Sequence, residues 1–295
     1  MQFRIAETTF KIQIQNRLLS LPTYSNFLLQ KTDNEIDIYI EILNDEYMPY
    51  KSAYVSTEHT TYMWKQEDGN YILWFSKRGS FLDESQQKDI WCLAGDRELR
   101  KWKLFIPNLD NISDAELNCE LEKRPWLQRL YACYCMNRNE AIMHGAVCNI
   151  NGKGCLFLGE SGVGKSTICS IINKYFEVYS DDRFVIKQVG KDIVAYGTPW
   201  NIKNKEYCCN KSVEIKSVFF LKHGDNKLQC CKKNYTLLQD LLKQILHASV
   251  YSPEDLVLWK LSIARIILNR VQCFKFEFVP DISCLKYILC ESHET

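Results

Sequence analysis

The chain has 295 residues, 46% of them hydrophobic, so it can bury a core in one large domain or two modest ones. Its formal net charge of +1 argues against a nucleic-acid-binding protein, because such proteins carry a clear basic excess. No run of about 18 apolar residues occurs, and residues 1–19 lack the apolar run of a signal peptide. We therefore expect a soluble, cytoplasmic protein that binds neither nucleic acid nor membrane.

The first part of the chain contains short β-rich runs separated by turn-forming clusters such as Glu-Asp-Gly-Asn at 67–70. Such alternation of apolar and polar residues between turn signals predicts strands. The predicted strands are Phe3–Ala6, Phe10–Ile14, Ile36–Ile42, Tyr71–Phe75, Ile90–Leu93 and Trp102–Ile106. Residues 1–120 are therefore predicted to form a β-rich N-terminal domain or cap. Two roles stay open for it, a peptide-docking edge and a cap that stabilises the fold.

Residues 121–295 have the character of a second domain, beginning with a helix predicted for 126–137 after Pro125. Two strands are then predicted, at 143–150 and 153–158, and Asn151-Gly152 between them is a strong signal for a two-residue hairpin turn. That turn pairs Cys148 with Cys155. Extended outward, the same register sets His144 opposite Gly159, the first residue of the glycine-rich segment that follows the hairpin.

Residues 159–167 read Gly-Glu-Ser-Gly-Val-Gly-Lys-Ser-Thr, a full match to the Walker A pattern G-x-x-x-x-G-K-[ST]. The glycines let backbone N–H groups converge on an anion, and the following helix presents its positive N-terminus. In this pattern Lys165 reaches the β- and γ-phosphates, and the Ser166 hydroxyl ligates Mg²⁺. An apolar strand before the motif and a helical pattern after it disfavour a glycine-rich turn without a ligand. The predicted phosphate-binding residues are Gly159, Glu160, Ser161, Gly162, Val163, Gly164, Lys165, Ser166 and Thr167.

A pair of carboxylates follows one helix and one strand later, where the predicted strand 176–180 ends in Asp181-Asp182. In common P-loop ATPases and GTPases the corresponding carboxylate lies further downstream. Neighbouring residues of a strand face opposite sides, which suggests that one aspartate serves the Mg²⁺ shell and the other acts as a general base. A solvent-exposed Asp-Asp turn is the alternative.

Further strands are predicted at 184–188, 193–196, 218–221 and 273–278, and helices at 236–247, 253–270 and 281–291. Two interpretations of the segment Gly197-Thr-Pro-Trp200 stay open. It is either a rigid turn in which Trp200 is packed, or a rim that presents Thr198 and Trp200 to a ligand. The 14 cysteines include no C-x-x-C pair, so we predict buried or incidental thiols rather than a zinc site.

Together, His144-Gly145, the hairpin turn, the P-loop and Asp181-Asp182 resemble the HPr kinase/phosphorylase family, whose fold is related to that of phosphoenolpyruvate carboxykinase. The resemblance covers about residues 140–200. It is closest to divergent HPr-kinase-like proteins, some of which phosphorylate a serine of a lasso-type precursor peptide. It implies a mixed α/β fold in which the β-rich N-terminal half precedes a P-loop kinase core.

The resemblance also implies roles for individual residues. The P-loop, including Lys165, would bind the phosphates of ATP, and Ser166 together with one aspartate would hold Mg²⁺. We assign Asp181 to the metal and Asp182 to the acceptor hydroxyl as its base, with His144 beside the transferring phosphoryl group. The Glu-Ile-Arg-Gly-like segment and the Arg- and Asn-rich C-terminal signature of the family are missing, which argues against HPr itself as the substrate.

The sequence therefore predicts an ATP-dependent kinase that transfers the γ-phosphoryl group to a serine hydroxyl, most plausibly of a precursor peptide or protein. One alternative is a kinase of a small hydroxylated molecule such as free serine. Another is a nucleotide-binding regulatory protein without transferase activity. The identity of the acceptor and a homo-oligomeric state are left open.

Overall fold

The computed structural model describes residues 1–30, 35–44, 54–57, 60–63, 66–67, 70–75, 91–136, 138–201, 204–232, 234–247 and 252–293. The chain divides into two compact units, residues 1–134 with 248–252 and residues 135–247 with 253–295. Residues 121–134, which the sequence assigned to the second domain, thus group with the first unit. Within the described residues, no helix is long and apolar enough to cross a membrane.

The first unit is rich in β-structure, as predicted. Its strands are β1 (Gln2–Ile5), β2 (Thr8–Ile14), β3 (Ile38–Asn44), β4 (Tyr54–Thr57), β5 (Thr60–Met63), β6 (Gln66–Glu67), β7 (Asn70–Phe75), β8 (Trp91–Gly95) and β9 (Lys101–Ile106). Seven of them form one sheet in the order β1-β2-β3-β9-β8-β7-β6, and β4 pairs with β5. The six predicted strands are confirmed with small shifts of their ends, although Ile90 lies outside the described residues.

Alternation along the strands decides which side chains form the core of this unit. In β3, Ile38, Ile40 and Ile42 are buried while the residues between them are half-buried. Two helices, α1 (Asp114–Lys123) and α2 (Trp126–Cys135), follow β9, and α1 begins at Ser113, whose hydroxyl accepts a hydrogen bond from the Glu116 N–H. The first unit therefore has its own apolar core, to which the buried side chains of the sheet contribute.

The second unit alternates strands and helices. Its strands are β10 (Glu140–His144), β11 (Ala146–Ile150), β12 (Lys153–Leu158), β13 (Glu177–Ser180), β14 (Arg183–Val189), β15 (Asp192–Tyr196), β16 (Ser212–His223), β17 (Lys227–Cys230) and β18 (Gln272–Phe278). Its helices are α3 (Lys165–Ile172), α4 (Tyr235–Gln244), α5 (Pro253–Arg270) and α6 (Cys284–His293). The mixed α/β fold with a β-rich N-terminal half is therefore confirmed.

One long strand, β16, joins the nine strands of this unit. Its first residues, 212–214, pair with β15, and its remaining residues pair with β12 on one side and β18 on the other. The strand path runs β10-β14-β15-β16-β12-β11-β13, and β18 and β17 branch from β16. Consequently β10, β14 and β15 form one arm, while β12, β11 and β13 form another. The three strands β12, β16 and β18 are parallel, so their carboxyl ends lie along one edge.

The hairpin predicted around Asn151-Gly152 is confirmed. Both turn residues have a positive φ, 53° and 82°, and Cys148 pairs with Cys155 as the register requires. Cys148, Cys155 and Cys169 are buried, in agreement with the prediction of buried thiols. They pack in the layer between the sheet and the helices α3 and α6.

The predicted strand 143–150 is wrong in one respect, because it breaks at Gly145 into β10 and β11. The register ends at Ala146, and His144 pairs with Arg183 of β14 instead of Gly159. Close packing explains the break: a Cβ on Gly145 would lie 2.5 Å from Leu158 Cδ2 and 3.0 Å from the carbonyl oxygen of residue 157. The chain crosses at this glycine from one arm of the sheet to the other.

We expect Gly145→Ala to destabilise the second unit by about 1–3 kcal/mol, because the added methyl group overpacks the crossing. Urea unfolding followed by circular dichroism would show this as a lower midpoint. Ser170→Ala, on the exposed face of α3, is the control and should shift the free energy of unfolding by less than about 0.5 kcal/mol. Equal midpoints for the two variants would contradict the close packing at Gly145.

Candidate active site

The P-loop connects β12 to α3, as the sequence predicts. Three of its residues, Gly159, Gly162 and Gly164, have positive φ angles of 152°, 85° and 102°. Gly164 immediately precedes α3, and a Cβ there would lie 2.7 Å from the ring of Phe278. A side chain at Gly164 would therefore be strained by the backbone and would also collide with this ring. The loop is thus seated directly on the end of β18.

Lys165, the first residue of α3, is buried with 7% of its surface exposed. Its Nζ donates hydrogen bonds to the carbonyl oxygens of Gly159 at 2.8 Å and Glu160 at 2.9 Å. The ammonium group is therefore held by the first two carbonyl oxygens of the loop. The next two residues, Ser166 and Thr167, are exposed in the first turn of the helix.

Asp182 lies at the second crossing between the two arms, in the two-residue connection from β13 to β14. Its Oδ1 accepts a hydrogen bond from Arg183 Nη1 at 2.5 Å and lies 3.6 Å from His144 Nε2. The two crossings are also joined by their backbones, because the Gly145 N–H donates to the Asp182 carbonyl oxygen at 3.0 Å. His144 and Asp182, both predicted as catalytic residues, are thus brought together.

Asp181 occupies different surroundings, with only 4% of its surface exposed. Burial raises the pKa of the Cys148 thiol, and its hydrogen bond with Cys169 and the charge of Asp181 raise it further. Burial also raises the pKa of the Tyr207 hydroxyl, and the charges of Cys169 and Asp181 add to this rise. The two aspartates do differ in their surroundings, as the alternation argument requires.

The connection that carries both aspartates is held by a buried amide, Asn201. Its Oδ1 accepts hydrogen bonds from the backbone N–H groups of Asp181 and Asp182, each at 3.3 Å, and lies 2.7 Å from Ser180 Oγ. Its Nδ2 donates to the carbonyl oxygens of Thr198 at 3.3 Å and Tyr207 at 3.0 Å. One side chain therefore ties the carboxylate pair to the segment after β15.

The segment 197–200 is a packed turn in this structure. Thr198 is fully buried and Trp200 is 8% exposed, so neither side chain forms the ligand rim that was the alternative. The Thr198 hydroxyl donates to the Arg183 carbonyl oxygen at 2.6 Å and so supports the same connection. Sequence reasoning missed Asn201 and Arg183. Arg183 directly follows the aspartate pair, which was a usable signal, whereas nothing in the local pattern marks Asn201.

The residues present fit Mg²⁺ and ATP chemically. Mg²⁺ prefers oxygen ligands and in phosphate sites commonly takes only one or two carboxylates in addition to phosphate oxygens and water. The hydroxyl of Ser166 and the carboxylate of Asp181 are such donors. No group of three or more His, Cys, Asp or Glu side chains suited to a metal occurs in the described part of the chain.

Comparison with known proteins gives two sequence matches. Residues 121–232, which include the P-loop, His144 and both aspartates, match the family described as "ScmC: SynChlorMet cassette protein ScmC". Over 80 residues the chain is 36% identical to "Putative HPr kinase/phosphorylase 2" from Oceanobacillus iheyensis. That segment is 27% of this chain and spans about a quarter, 26%, of the relative. The resemblance to HPr kinase/phosphorylase proteins that the motifs predict is thereby confirmed.

Among solved structures, the HPr(Ser) kinase/phosphatase from Coxiella burnetii aligns with 51% of this chain and 91% of its own, at 12% sequence identity. The TM-score of that alignment is 0.30, which is too low to establish a shared overall fold. The confirmed resemblance therefore rests on the two sequence matches.

Asn201→Ala should lower the free energy of unfolding by about 1–3 kcal/mol, because the N–H groups of Asp181 and Asp182 would lose their acceptor in a buried place. Asn204→Ala is the matched control, since this nearby, half-buried asparagine makes no capping hydrogen bond with its side chain. Urea unfolding of the two variants tests the difference. If both unfold at the midpoint of the unaltered protein, Asn201 does not hold the carboxylate pair.

Proposed function

We propose that this protein is an ATP-dependent kinase that transfers the γ-phosphoryl group of ATP to a serine hydroxyl of a peptide or protein. The observation that carries the proposal is the shared location of His144, Asp182 and Arg183 at the two joined crossings. A P-loop alone supports nucleotide binding, whereas a carboxylate with two basic neighbours supports an acceptor site as well.

On the donor side, the chain supplies charge and alignment. Lys165 would exchange its two carbonyl acceptors for phosphate oxygens, and the N–H groups of the glycine-rich loop would bind the rest of the triphosphate. Ser166 and Asp181 would hold Mg²⁺, which, when bound, neutralises charge on the transferring group. Phosphoryl transfer asks a protein mainly for such positioning and electrostatic stabilisation, without a covalent intermediate.

On the acceptor side, Asp182 would take the proton of the attacking hydroxyl. Among the described residues, the contacts from Arg183 and His144 both fall on Oδ1, so Oδ2 is the oxygen that would face the hydroxyl. Arg183 would keep the carboxylate oriented through this bond. His144, with a side chain 29% exposed, is available to hydrogen-bond an oxygen of the transferring group.

A peptide or protein acceptor is favoured over free serine by the relative from Oceanobacillus iheyensis, whose name denotes a kinase acting on a protein. We infer that cytoplasmic ATP is the donor. A small hydroxylated molecule is the second candidate acceptor. The contacts described around Asp182 concern the hydroxyl group and do not depend on the rest of the molecule that carries it.

The first experiment is intact-mass measurement of candidate serine peptides and of free serine after incubation with the full chain, ATP and Mg²⁺. The proposal predicts one added phosphoryl group on a peptide serine. If ATP binds tightly and no acceptor gains phosphate, the protein is a nucleotide-binding regulator and the kinase proposal is wrong.

Once an acceptor is found, Asp182→Asn should lower the single-turnover rate of transfer by at least about 100-fold, because the general base is lost. Its dissociation constant for ATP, measured by calorimetry, should stay within about threefold of the original. Lys165→Ala should weaken both ATP binding and transfer, because the phosphates lose their cationic partner.

Asp192→Asn is the matched control, since Asp192 is exposed at the start of β15 and has no place in the site. It should transfer phosphate at the original rate. Unchanged turnover in Asp182→Asn would remove the assignment of Asp182 as base.

A further inference from the structure

The carboxyl ends of β12, β16 and β18 lie side by side because the three strands are parallel. The P-loop follows β12, His223 is the last residue of β16, and Phe278 is the last residue of β18. His223 and Phe278 are directly paired in the register of these strands. An aromatic pair therefore stands at the same sheet edge as the phosphate-binding loop.

Phe278 of this pair packs against the loop, and β16 approaches the loop through Leu221. The position of a Cβ on Gly164 is 2.7 Å from the Phe278 ring, and that of a Cβ on Gly159 is 3.3 Å from the Leu221 carbonyl oxygen. Leu221 precedes His223 by two residues, so both side chains lie on the same face of β16. The face that carries Phe278 and His223 is thus the face on which the P-loop and α3 lie.

His223 offers an exposed aromatic surface at this place. Its ring lies 6.4 Å from the Phe278 ring, centroid to centroid, with an interplanar angle of 22°. Phe278 itself is buried, with 1% of its surface exposed. The imidazole is exposed and has no role in the acceptor site. A flat ring of this kind, backed by a second ring, is a surface on which a nucleobase can stack.

The turn after His223 is fastened to the segment after Phe278. Asn226 accepts a hydrogen bond from the Val279 N–H at 2.9 Å through Oδ1, and its Nδ2 donates to Ser283 Oγ at 2.6 Å. These bonds hold the two strand ends together without the help of a ligand. The stacking surface is therefore formed in advance, which lowers the entropic cost of binding a base.

The order of the strands gives the direction of the nucleotide. The sheet runs β18-β16-β12-β11-β13, so the P-loop strand stands between the aromatic pair and the strand that ends at Asp181-Asp182. A triphosphate whose γ-phosphate points toward the aspartates must extend the rest of the nucleotide away from them. That direction leads from β12 toward the ends of β16 and β18.

We propose that the exposed ring of His223, supported by Phe278, stacks on the purine base of the nucleotide whose phosphates lie in the P-loop. This proposal rests on the proposed function, since it presupposes that the loop binds ATP. The proposal gives His223 a role in nucleotide binding, although His223 belongs neither to the Walker A motif nor to the aspartate pair.

The test compares Mg²⁺-ATP with Mg²⁺-tripolyphosphate, which has the phosphates but no nucleoside, in calorimetric titrations of the full chain. Unaltered protein should bind ATP more tightly than tripolyphosphate. His223→Ala should weaken ATP binding about tenfold, a typical loss for removal of one stacked aromatic ring, and leave tripolyphosphate binding unchanged. His223→Phe should restore the affinity for ATP, because a ring face is retained without the polar nitrogens.

Tyr235→Ala is the control, because Tyr235 is also an exposed aromatic residue. Tyr235 is the first residue of α4, which follows β17, and β17 runs antiparallel to β18 and so ends at the opposite edge of the sheet. It should bind both ligands as the unaltered protein does. Equal ATP affinity for His223→Ala and the unaltered protein would overturn the stacking proposal alone. Equal losses of ATP and tripolyphosphate in His223→Ala would overturn it too, since the ring would then act on phosphate. If the unaltered protein binds neither ligand, the proposed function fails together with this one.

Discussion

A backbone hydrogen bond from the Gly145 N–H to the Asp182 carbonyl oxygen joins the two places where the chain crosses between the arms of the second unit, next to the pairing of His144 with Arg183. The positions of the His144, Asp182 and Arg183 side chains follow from this joining. Because β10 ends at His144 and β14 begins at Arg183, joining the crossings places both side chains beside the Asp182 carboxylate. The bond requires a close approach of the two segments, which the absence of a side chain at Gly145 permits.

The same connection separates two adjacent carboxylates. Asp182 is half-buried and flanked by basic groups, whereas Asp181 is buried. Burial raises the pKa values of the Cys148 thiol and the Tyr207 hydroxyl, and the charge of Asp181 contributes to both. Asn201 holds the backbone of both residues from the inside. Such a division suits phosphoryl transfer, in which one oxygen donor serves the metal and another the incoming hydroxyl.

Local sequence patterns predicted much of the site but missed the features that depend on contacts between residues far apart in the chain. The P-loop, the Asn151-Gly152 hairpin and the position of the aspartates follow from short-range rules of turn and strand formation, and the structure confirms their local geometry. Extending the hairpin register to His144 failed, because strand pairing gave way to packing of Gly145 against Leu158. The hydrogen bonds of Asn201 join residues about 20 positions apart, and no local pattern reveals such a partner.

In the proposed function, a nucleotide in the P-loop points its γ-phosphate at the joined crossings. A crystal structure of the full chain with Mg²⁺ and a non-hydrolysable ATP analogue would reveal where this phosphate lies. We expect Lys165 Nζ to hydrogen-bond the terminal phosphate and this phosphate to lie beside His144 and Asp182. A terminal phosphate that points away from Asp182, or an analogue bound elsewhere on the chain, would contradict it.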